Sequence, residues 1–480
     1  MKTYGILLEK VERQVYLLKN SIVSSFFFRG SNFSLLSALF YIYFSFIILC
    51  MVEKKFKIVT LGCRTNQYES QAYHDQLQAM GYSEAAKHEQ AEICIINTCT
   101  VTESADSSSR HEIRQVARDN PGSKLIITGC FAERQPELVG SLQGVTHVVP
   151  NKDKEKLLES IFPAAELPEF SIKRFEAHTR AFVKVQDGCN SFCTYCIIPY
   201  VRGRSRSRSL DEIVKEAKGL IANGYKEIVL TGINIGDFDG AKPENEKPDR
   251  LADLVRAVDR LPGLERLRVS SIDPDEVDDD LADAILNGMH TCHSMHIVLQ
   301  AGSNVILKRM NRKYTRQIFL NTVERLKNAS ADFTFTTDVI VGFPGETESD
   351  FAETLEVMKQ VKFAKVHMFP YSERARTRAA LMPNKIPQEI IKKRKHEVLR
   401  AAEQISFELR EQFIGRRMKI LTENIDPSRP EEICGHTENF LMVWVPRSNY
   451  APNEILEVDL IANTPEGLIG HLSSRQASCG

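Results

Sequence analysis

The sequence predicts an α/β protein in three parts: an open parallel α/β domain at 55–162, a partial (β/α)6 barrel at 175–413 and a small β-barrel at 414–475. Three observations carry this. Short apolar runs alternate with amphipathic stretches through the first two regions, the order that builds parallel sheets. In the second region the alternation supplies six strand–helix units, too few to close an eight-stranded barrel. Beyond Gly415 the helical period gives way to short β-rich runs broken by Pro and Gly.

A chain of 480 residues, 42% hydrophobic and 26% charged, is long enough for two or three domains and folds over most of its length. With 62 Lys and Arg against 63 Asp and Glu, the formal net charge is -1, so a nucleic-acid partner must be held by local basic patches. Three stand out: Arg202, Arg204, Arg206 and Arg208; Arg374, Arg376 and Arg378; and Lys392-Lys393-Arg394-Lys395. Each also reads as a solvated face. Eleven cysteines, an odd number scattered through a long chain, point to reduced thiols and metal in the cytosol rather than a disulfide framework.

Residues 33–50 are uncharged and mostly apolar, long enough for a marginal membrane span. The first strand begins directly after Met51-Val52-Glu53-Lys54-Lys55, so Met51 reads as the working start and 1–50 as a leader outside it. A membrane anchor is the other reading. Export by a cleaved signal peptide conflicts with the reduced thiols, and the expected location is the cytoplasm.

The first domain opens with a strand at 56–61 ending in Gly62-Cys63, then a helix at 66–80. A strand at 93–96 ends in Asn97-Thr98-Cys99 before a helix at 104–118, and a strand at 124–128 ends in Gly129-Cys130 before a helix from 135. In a parallel sheet the carboxyl ends of the strands share one edge. Cys63, Cys99 and Cys130 therefore gather there, able to converge on a metal cluster; compact turns with buried thiols are the plainer alternative. Cys94 reads as core. A strand at 147–149, a helix at 152–161 and a linker at 163–178 follow.

In the second domain, strands are expected at 181–185, 227–230, 266–270, 296–299, 333–341 and 364–369, separated by helices at 209–223, 249–260, 276–288, 314–328 and 348–360. The first strand feeds Cys189-Asn190-Ser191-Phe192-Cys193-Thr194-Tyr195-Cys196. Thiols spaced Cys-x3-Cys-x2-Cys can close on three irons of a cubane 4Fe–4S cluster and leave the fourth open for a small molecule. A zinc knuckle borrowing a distant Cys or His, or three unrelated core thiols, are the alternatives. Strand ends at Asn234, Ser270 to Pro274, Gln300 and Val341 to Glu346 carry the Gly and small polar residues that barrel enzymes place at their sites. His296 and His367, in apolar strands, read as core histidines. A long helix at 386–413 closes the domain, and β runs at 418–421, 439–445, 455–462 and 468–472 make the last one.

The Cys189 loop, with Tyr195 before its last Cys, resembles the radical S-adenosylmethionine (SAM) enzymes, and the following Ile197-Ile198-Pro199-Tyr200-Val201-Arg202-Gly203-Arg204 resembles their methylthiotransferases. Leu61-Gly62-Cys63-Arg64-Thr65-Asn66-Gln67-Tyr68-Glu69-Ser70 and Asn97-Thr98-Cys99-Thr100-Val101-Thr102 are similar to that family's amino-terminal domain. The resemblance implies two 4Fe–4S clusters, one on Cys189, Cys193 and Cys196 that binds SAM and an auxiliary one on Cys63, Cys99 and Cys130. It places Tyr195 near the SAM adenine, with Asn234 and Gln300 as further SAM contacts. It assigns no catalytic side chain, since clusters and SAM carry the chemistry. A second SAM methylates sulfur at the auxiliary cluster, and the methylthio group passes to carbon 2 of an adenosine beside the tRNA anticodon. The implied partners are the tRNA anticodon stem-loop and an electron donor such as flavodoxin or ferredoxin, with the sulfur donor unassigned. The last domain resembles the RNA-binding TRAM domain, with a structural cap as the alternative. The Asn66-Gln67-Tyr68-Glu69-Ser70 run resembles the threonylcarbamoyl-adenosine branch. Alternatives are the isopentenyl-adenosine branch, the branch acting on a ribosomal-protein aspartate, and a non-catalytic iron–sulfur protein that binds RNA or senses redox state. One departure stands out: in Tyr371-Ser372-Glu373-Arg374-Ala375-Arg376-Thr377-Arg378-Ala379, Arg376 takes a place usually held by Gly. If that place needs positive φ, Arg376 is strained.

Overall fold

Residues 54–163, 165–174, 179–243, 245–423, 425–447 and 450–473 are described by a computed structural model; the apolar leader and Met51 lie outside the described residues. Strands β1 (Lys55–Thr60), β2 (Ser83–Glu84), β3 (Ile93–Thr98), β4 (Lys124–Gly129) and β5 (Val145–Val148) form a parallel sheet in the order β2-β1-β3-β4-β5. β3 is buried along its whole length, as a central strand covered on both faces must be. Helix α1 (Arg64–Ala79) follows β1, and α2 (Glu103–Asp119) follows β3 from a Thr102 hydroxyl that accepts the Ala105 amide at 3.1 Å. After β4 come α3 (Cys130–Arg134), which was not expected, and α4 (Pro136–Gly140), which begins beside Gln135 as expected. The α-helix expected at 152–161 is a 3₁₀ helix at Lys154–Ser160. Its inward side chains Lys154 and Leu157 are three residues apart, the spacing a 3₁₀ turn aligns. The expected linker is fastened to α1: Gln76 Nε2 donates to the Pro168 carbonyl at 2.6 Å, and Phe170 packs on Tyr68 and Tyr73.

After β6 (Arg180–Lys184), the pair β7 (Gln186–Asp187) and β8 (Arg206–Ser207) closes the neck of the cysteine loop, which contains the short helix α5 (Ile198–Val201). Next come α6 (Leu210–Ala222), β9 (Glu227–Thr231), α7 (Leu251–Asp259), β10 (Arg266–Val269), α8 (Asp279–Leu286) and β11 (Ser294–His296). The domain ends with α9 (Asn304–Arg309), α10 (Arg316–Ala329), β12 (Thr334–Val341), α11 (Glu348–Val361), β13 (Lys365–Pro370) and α12 (Gln388–Glu411). Capping boxes at Ser209/Glu212 and Thr347/Asp350 start α6 and α11. The strands form two parallel sheets, β6-β9-β10 and β11-β12-β13, stitched by bridges Leu267 to Thr291 and Ile272 to Ile297. The result is a six-stranded arc, open between β6 and β13.

The amino-terminal domain spans that opening. α1 lies against β6, with the Arg64 guanidinium 5.2 Å from the Phe182 ring centroid. At the other side, beyond β13, Arg374 Nη1 meets Asp106 Oδ2 at 2.7 Å, and the Ser372 hydroxyl accepts the Glu103 amide at 3.0 Å.

β14 (Arg417–Thr422), β15 (Glu432–Thr437), β16 (Met442–Pro446), β17 (Ile455–Thr464) and β18 (Gly467–Leu472) close a barrel in the order β14-β15-β16-β18-β17. Among them β15 was not expected, because Glu432, Gly435 and His436 dilute its apolar pattern. The run expected from 439 starts later, since Phe440 (φ +65°) forms the turn into β16. Arg266 ties this barrel to the arc by donating to the His436 and Lys419 carbonyls, both at 2.8 Å. Among the described residues no helix is long and apolar enough to cross a membrane.

Arg376 has φ +75° and is exposed. A left-handed non-Gly residue costs about 1–2 kcal/mol, partly offset by the chain entropy that Gly loses on folding. Arg376→Gly is expected to stabilise the chain by about 0.5–1 kcal/mol, read from the urea midpoint; an unchanged or lower midpoint would show that this turn stores no strain.

Candidate functional site

The three strand-end cysteines meet because the loops that carry them are small. Cys63 is the N-cap of α1, Cys99 follows β3 and Cys130 opens α3. Gly62 has φ +92°, and a Cβ there would lie 2.8 Å from both Cβ and Sγ of Cys99, so only Gly allows the approach. Cys63 is exposed, whereas Cys99 and Cys130 are buried. Burial pushes the Cys99 thiol up to about 11, with Cys130 and Cys63 adding to the rise. Burial likewise raises Cys130, against the pull of Arg202.

The second trio lies on the loop between β7 and β8. Its neck needs Gly188, at φ +77°, where a Cβ would collide with the Arg204 carbonyl. Within the loop, Phe192 turns the chain at φ +48° and Cys189 Sγ accepts the Ser191 amide at 3.4 Å. Distant segments hold it: the Thr194 amide donates to the Met310 carbonyl at 3.0 Å, and the Ala379 amide to the Thr194 carbonyl at 2.8 Å. Arg312 Nη1 reaches Cys193 Sγ at 3.0 Å while Nη2 pairs with Asp273. Burial raises Cys189, and burial with Cys193 raises Cys196.

Among the described residues no three His, Cys, Asp or Glu side chains already close on a single ion. The fit is therefore judged on donor chemistry. Each trio offers only sulfur, burial raises Cys99 and Cys130 in one and Cys189 and Cys196 in the other, and each has one guanidinium (Arg202 or Arg312) against a sulfur, which would offset the charge of a bound cluster. Soft all-thiol sets of this kind suit iron–sulfur clusters.

Arg202, which follows the second set in the chain, reaches across to the first. It is 2% exposed, and its Nε donates to Cys130 Sγ at 3.3 Å. Its Nη1 meets Asp187 Oδ1 at 2.7 Å and Glu69 Oε1 at 3.3 Å, and its Nη2 donates to Asn66 Oδ1. Lys154 Nζ lies 2.5 Å from both Glu69 and Asp187, and Lys184 adds its charge at 3.6 Å from Glu69. Burial alone would raise Glu69, but Lys154, Arg202 and Lys184 hold it at about 2. Directly above, Cys130 packs with Ile197 and Val201 of the cysteine loop.

Two cavities adjoin the thiols. One, of about 250 Å³, brings together Tyr195, Cys196, Gln300, Ile340 and Tyr371 and extends to Val101 and Thr102 beside Cys99. Gln300 (φ +62°) has a buried Oε1 with no partner, an acceptor available to a ligand amine. Asn234 is not in this cavity; its Nδ2 donates to Glu276 Oε1 at 3.0 Å. Burial, with Asp273 adding, raises Glu276 to about 7. The larger cavity, about 660 Å³, runs inside the arc from Cys63 and Arg64 past His296 and His367 to Phe440. The two histidines thus line a cavity rather than the core; apolar neighbours in their strands face outward under the helices, which a run of letters does not reveal.

The basic patches also need correction. Arg202, Arg374 and Arg394 are buried and paired, Arg394 Nη1 meeting Glu346 Oε2 at 2.7 Å. Arg204, Arg206, Arg376 and Arg378 remain exposed. Sequence reasoning missed Glu69, Lys154, Asp187 and Arg312 as supports of the site, because their partners lie from 15 to 133 residues away and no spacing signals them.

Removing one member of a buried ion network costs about 3–5 kcal/mol by stranding the others. Arg202→Met is expected to lose stability of that order in urea unfolding. Since Glu69 is held below its ordinary value, its contribution is full above pH ~4.5 and lost as pH falls toward about 2. Glu69→Gln should therefore flatten the acid limb of the stability curve; an unaltered limb would remove Glu69 from the network.

The family profile described as Radical SAM superfamily matches residues 183–358, and that described as Uncharacterized protein family UPF0004 matches 55–150. The chain is 47% identical over 425 residues to the threonylcarbamoyladenosine tRNA methylthiotransferase MtaB of Chlamydia pneumoniae, covering 88% of this chain and 99% of that one. It is 36% identical to the MtaB of Bacillus subtilis, covering 84% and 92%. It is 35% identical to the tRNA-2-methylthio-N(6)-dimethylallyladenosine synthase of Carboxydothermus hydrogenoformans, covering 82% and 94%. In fold it is similar to the radical SAM methyltransferase TsrM of Kitasatospora setae, with a TM-score of 0.50 at 14% identity, covering 78% and 79%. Two thiol trios, one of them against a buried ion network, in a chain this similar over most of its length, lead to one assignment: the chain belongs to the radical SAM methylthiotransferase family.

Proposed function

We propose that this enzyme transfers a methylthio group to carbon 2 of N6-threonylcarbamoyladenosine next to the tRNA anticodon. The observation that carries the reading is the placing of two all-thiol trios on either side of one buried contact, Cys130 against Ile197 and Val201, with cavities opening beside both. The relatives named for threonylcarbamoyladenosine in Chlamydia pneumoniae and Bacillus subtilis support the substrate.

As a radical SAM family member the chain uses SAM and a 4Fe–4S cluster, for which Cys189, Cys193 and Cys196 are the proposed ligands. A second cluster is proposed on Cys63, Cys99 and Cys130. With one iron free of protein ligands, such a cofactor supplies the electron that cleaves SAM and so the radical that takes hydrogen from carbon 2. The chain's own residues position and shield. Gln300 Oε1 is an unpartnered acceptor for the SAM amino or adenine amine, and Tyr195, edge-on to Phe343 at 6.5 Å, gives an apolar wall. Asn234, through Glu276, stands on the Arg312 and Asp273 side of the loop as a proposed support for the methionine end. The amino-terminal domain covers the open side of the arc between β6 and β13. Exposed Arg204, Arg206, Arg376 and Arg378 are proposed phosphate contacts for the anticodon stem-loop, whose unstacked loop bases can be presented cheaply. The carboxy-terminal barrel is the proposed TRAM-like RNA module, a small flavodoxin or ferredoxin the electron donor, and the cytoplasm the location.

Mass spectrometry of tRNA nucleosides tests the substrate: cells lacking the protein should lose 2-methylthio-threonylcarbamoyladenosine and regain it from a gene starting at Met51. Loss of the methylthio isopentenyl nucleoside instead would overturn the substrate. In vitro, Ala at Cys189, Cys193 and Cys196 should abolish reductive SAM cleavage. Ala at Cys63, Cys99 and Cys130 should keep cleavage but end methylthiolation, each triple variant holding about four irons where the native chain holds about eight. An iron content unaltered by the second triple would remove the auxiliary cluster.

A further inference from the structure

The cavity inside the arc holds more positive charge than its carboxylates balance. Arg180 pairs with Glu423 at 3.0 Å and Arg268 Nε with Glu227 at 2.8 Å, while Asp338 faces His296 at 3.4 Å. Arg64 has no such partner among the described residues; its guanidinium rests over the Phe182 ring at 5.2 Å and points its charge into the space it shares with Arg180 and Arg268. Arg268 is 4% exposed, and although Nη1 donates to the Glu438 carbonyl at 3.0 Å, its Nη2 finds no acceptor. Two guanidinium edges without acceptors in one cavity are costly, because burial strips their water and they repel each other. An anion between them removes both costs. At about 660 Å³ the cavity has room for a nucleoside-sized group, and Cys63 lies on its wall.

A threonylcarbamoyl group ends in a carboxylate, whereas an isopentenyl group is uncharged. We propose that Arg64, with the free Nη2 edge of Arg268, receives the carboxylate of the modified adenosine and so selects the threonylcarbamoyl over the isopentenyl base. The inference rests on the methylthiotransferase reading above. A planar guanidinium fork matches a carboxylate in two hydrogen bonds, and an apolar substituent in its place leaves the fork unpaired, which rejects it. The only other anion the RNA offers is backbone phosphate.

The test uses reconstituted holoenzyme and anticodon stem-loop RNAs carrying threonylcarbamoyladenosine, its neutral methyl amide, or isopentenyladenosine. Affinity is read by fluorescence anisotropy and product by mass spectrometry. The native chain should bind the acid at least about tenfold more tightly than the amide, the worth of a charge-assisted hydrogen bond. Arg64→Gln should erase that preference by weakening only the acid, and Arg64→Lys should restore part of it. Equal binding and turnover of acid and amide by the native chain overturns the inference and leaves the methylthiotransferase reading standing. Equal weakening of all three RNAs by Arg64→Gln, with a shallower salt dependence, assigns Arg64 to phosphate and also overturns it. Action on the isopentenyl RNA alone overturns both. The comparison of acid with amide needs only the native chain, so a poorly folding variant does not shield the inference.

Discussion

Three buried cations facing two buried carboxylates fix how this molecule is assembled. Glu69 comes from α1 of the amino-terminal sheet, Lys154 from the 3₁₀ helix that ends that domain, and Lys184, Asp187 and Arg202 from the arc. None can leave without stranding a charge in a dry interior, so the two domains cannot slide or part without a cost comparable to a large share of a domain's stability. The thiols inherit this rigidity. Cys130 is bonded by Arg202, and the loop of Cys189, Cys193 and Cys196 begins two residues after Asp187 and ends six before Arg202. Chemistry in which a carbon must meet one site after being activated from another depends on their separation, and here the Arg202 network ties the Cys130 end of one set to the segment that carries the other.

The same frame explains how the arc manages its missing strands. A partial barrel leaves side chains exposed that a full barrel would bury, and the amino-terminal domain covers them from both sides: α1 on β6, and Asp106 with Glu103 on the segment after β13. What stays uncovered is the interior cavity between Cys63 and Phe440. A macromolecule can therefore offer a single base to the interior while its body remains outside.

Much of this was legible in the letters. Period and strand ends located the parallel sheet, the six strands of the arc and both cysteine sets, because those signals are local. Cys63, Cys99 and Cys130 could be placed on one edge from topology alone. What escaped was of two kinds. Short helices such as α5 and α9 carry too few residues to show a period, and the polar residues of β15 dilute its apolar pattern. Side chains whose meaning depends on distant partners were misread or missed: Arg202, Arg374 and Arg394 look like surface charge until Asp187, Asp106 and Glu346 are seen beside them, and His296 and His367 look like core until the cavity opens in front of them. The Arg at position 376 was legible as a conflict, and its left-handed backbone is that conflict realised.

The bond from the Ala379 amide to the Thr194 carbonyl sets a clock for biogenesis. The cysteine loop takes its shape from Met310, Arg312 and Ala379, all made long after it. At about 5–20 residues per second, the ribosome needs roughly 10–40 s to travel from Cys189 to Ala379. Through that interval the thiols have emerged without the groups that orient them. The loop therefore reaches its final shape only on a nearly finished chain, after translation has passed most of the gene.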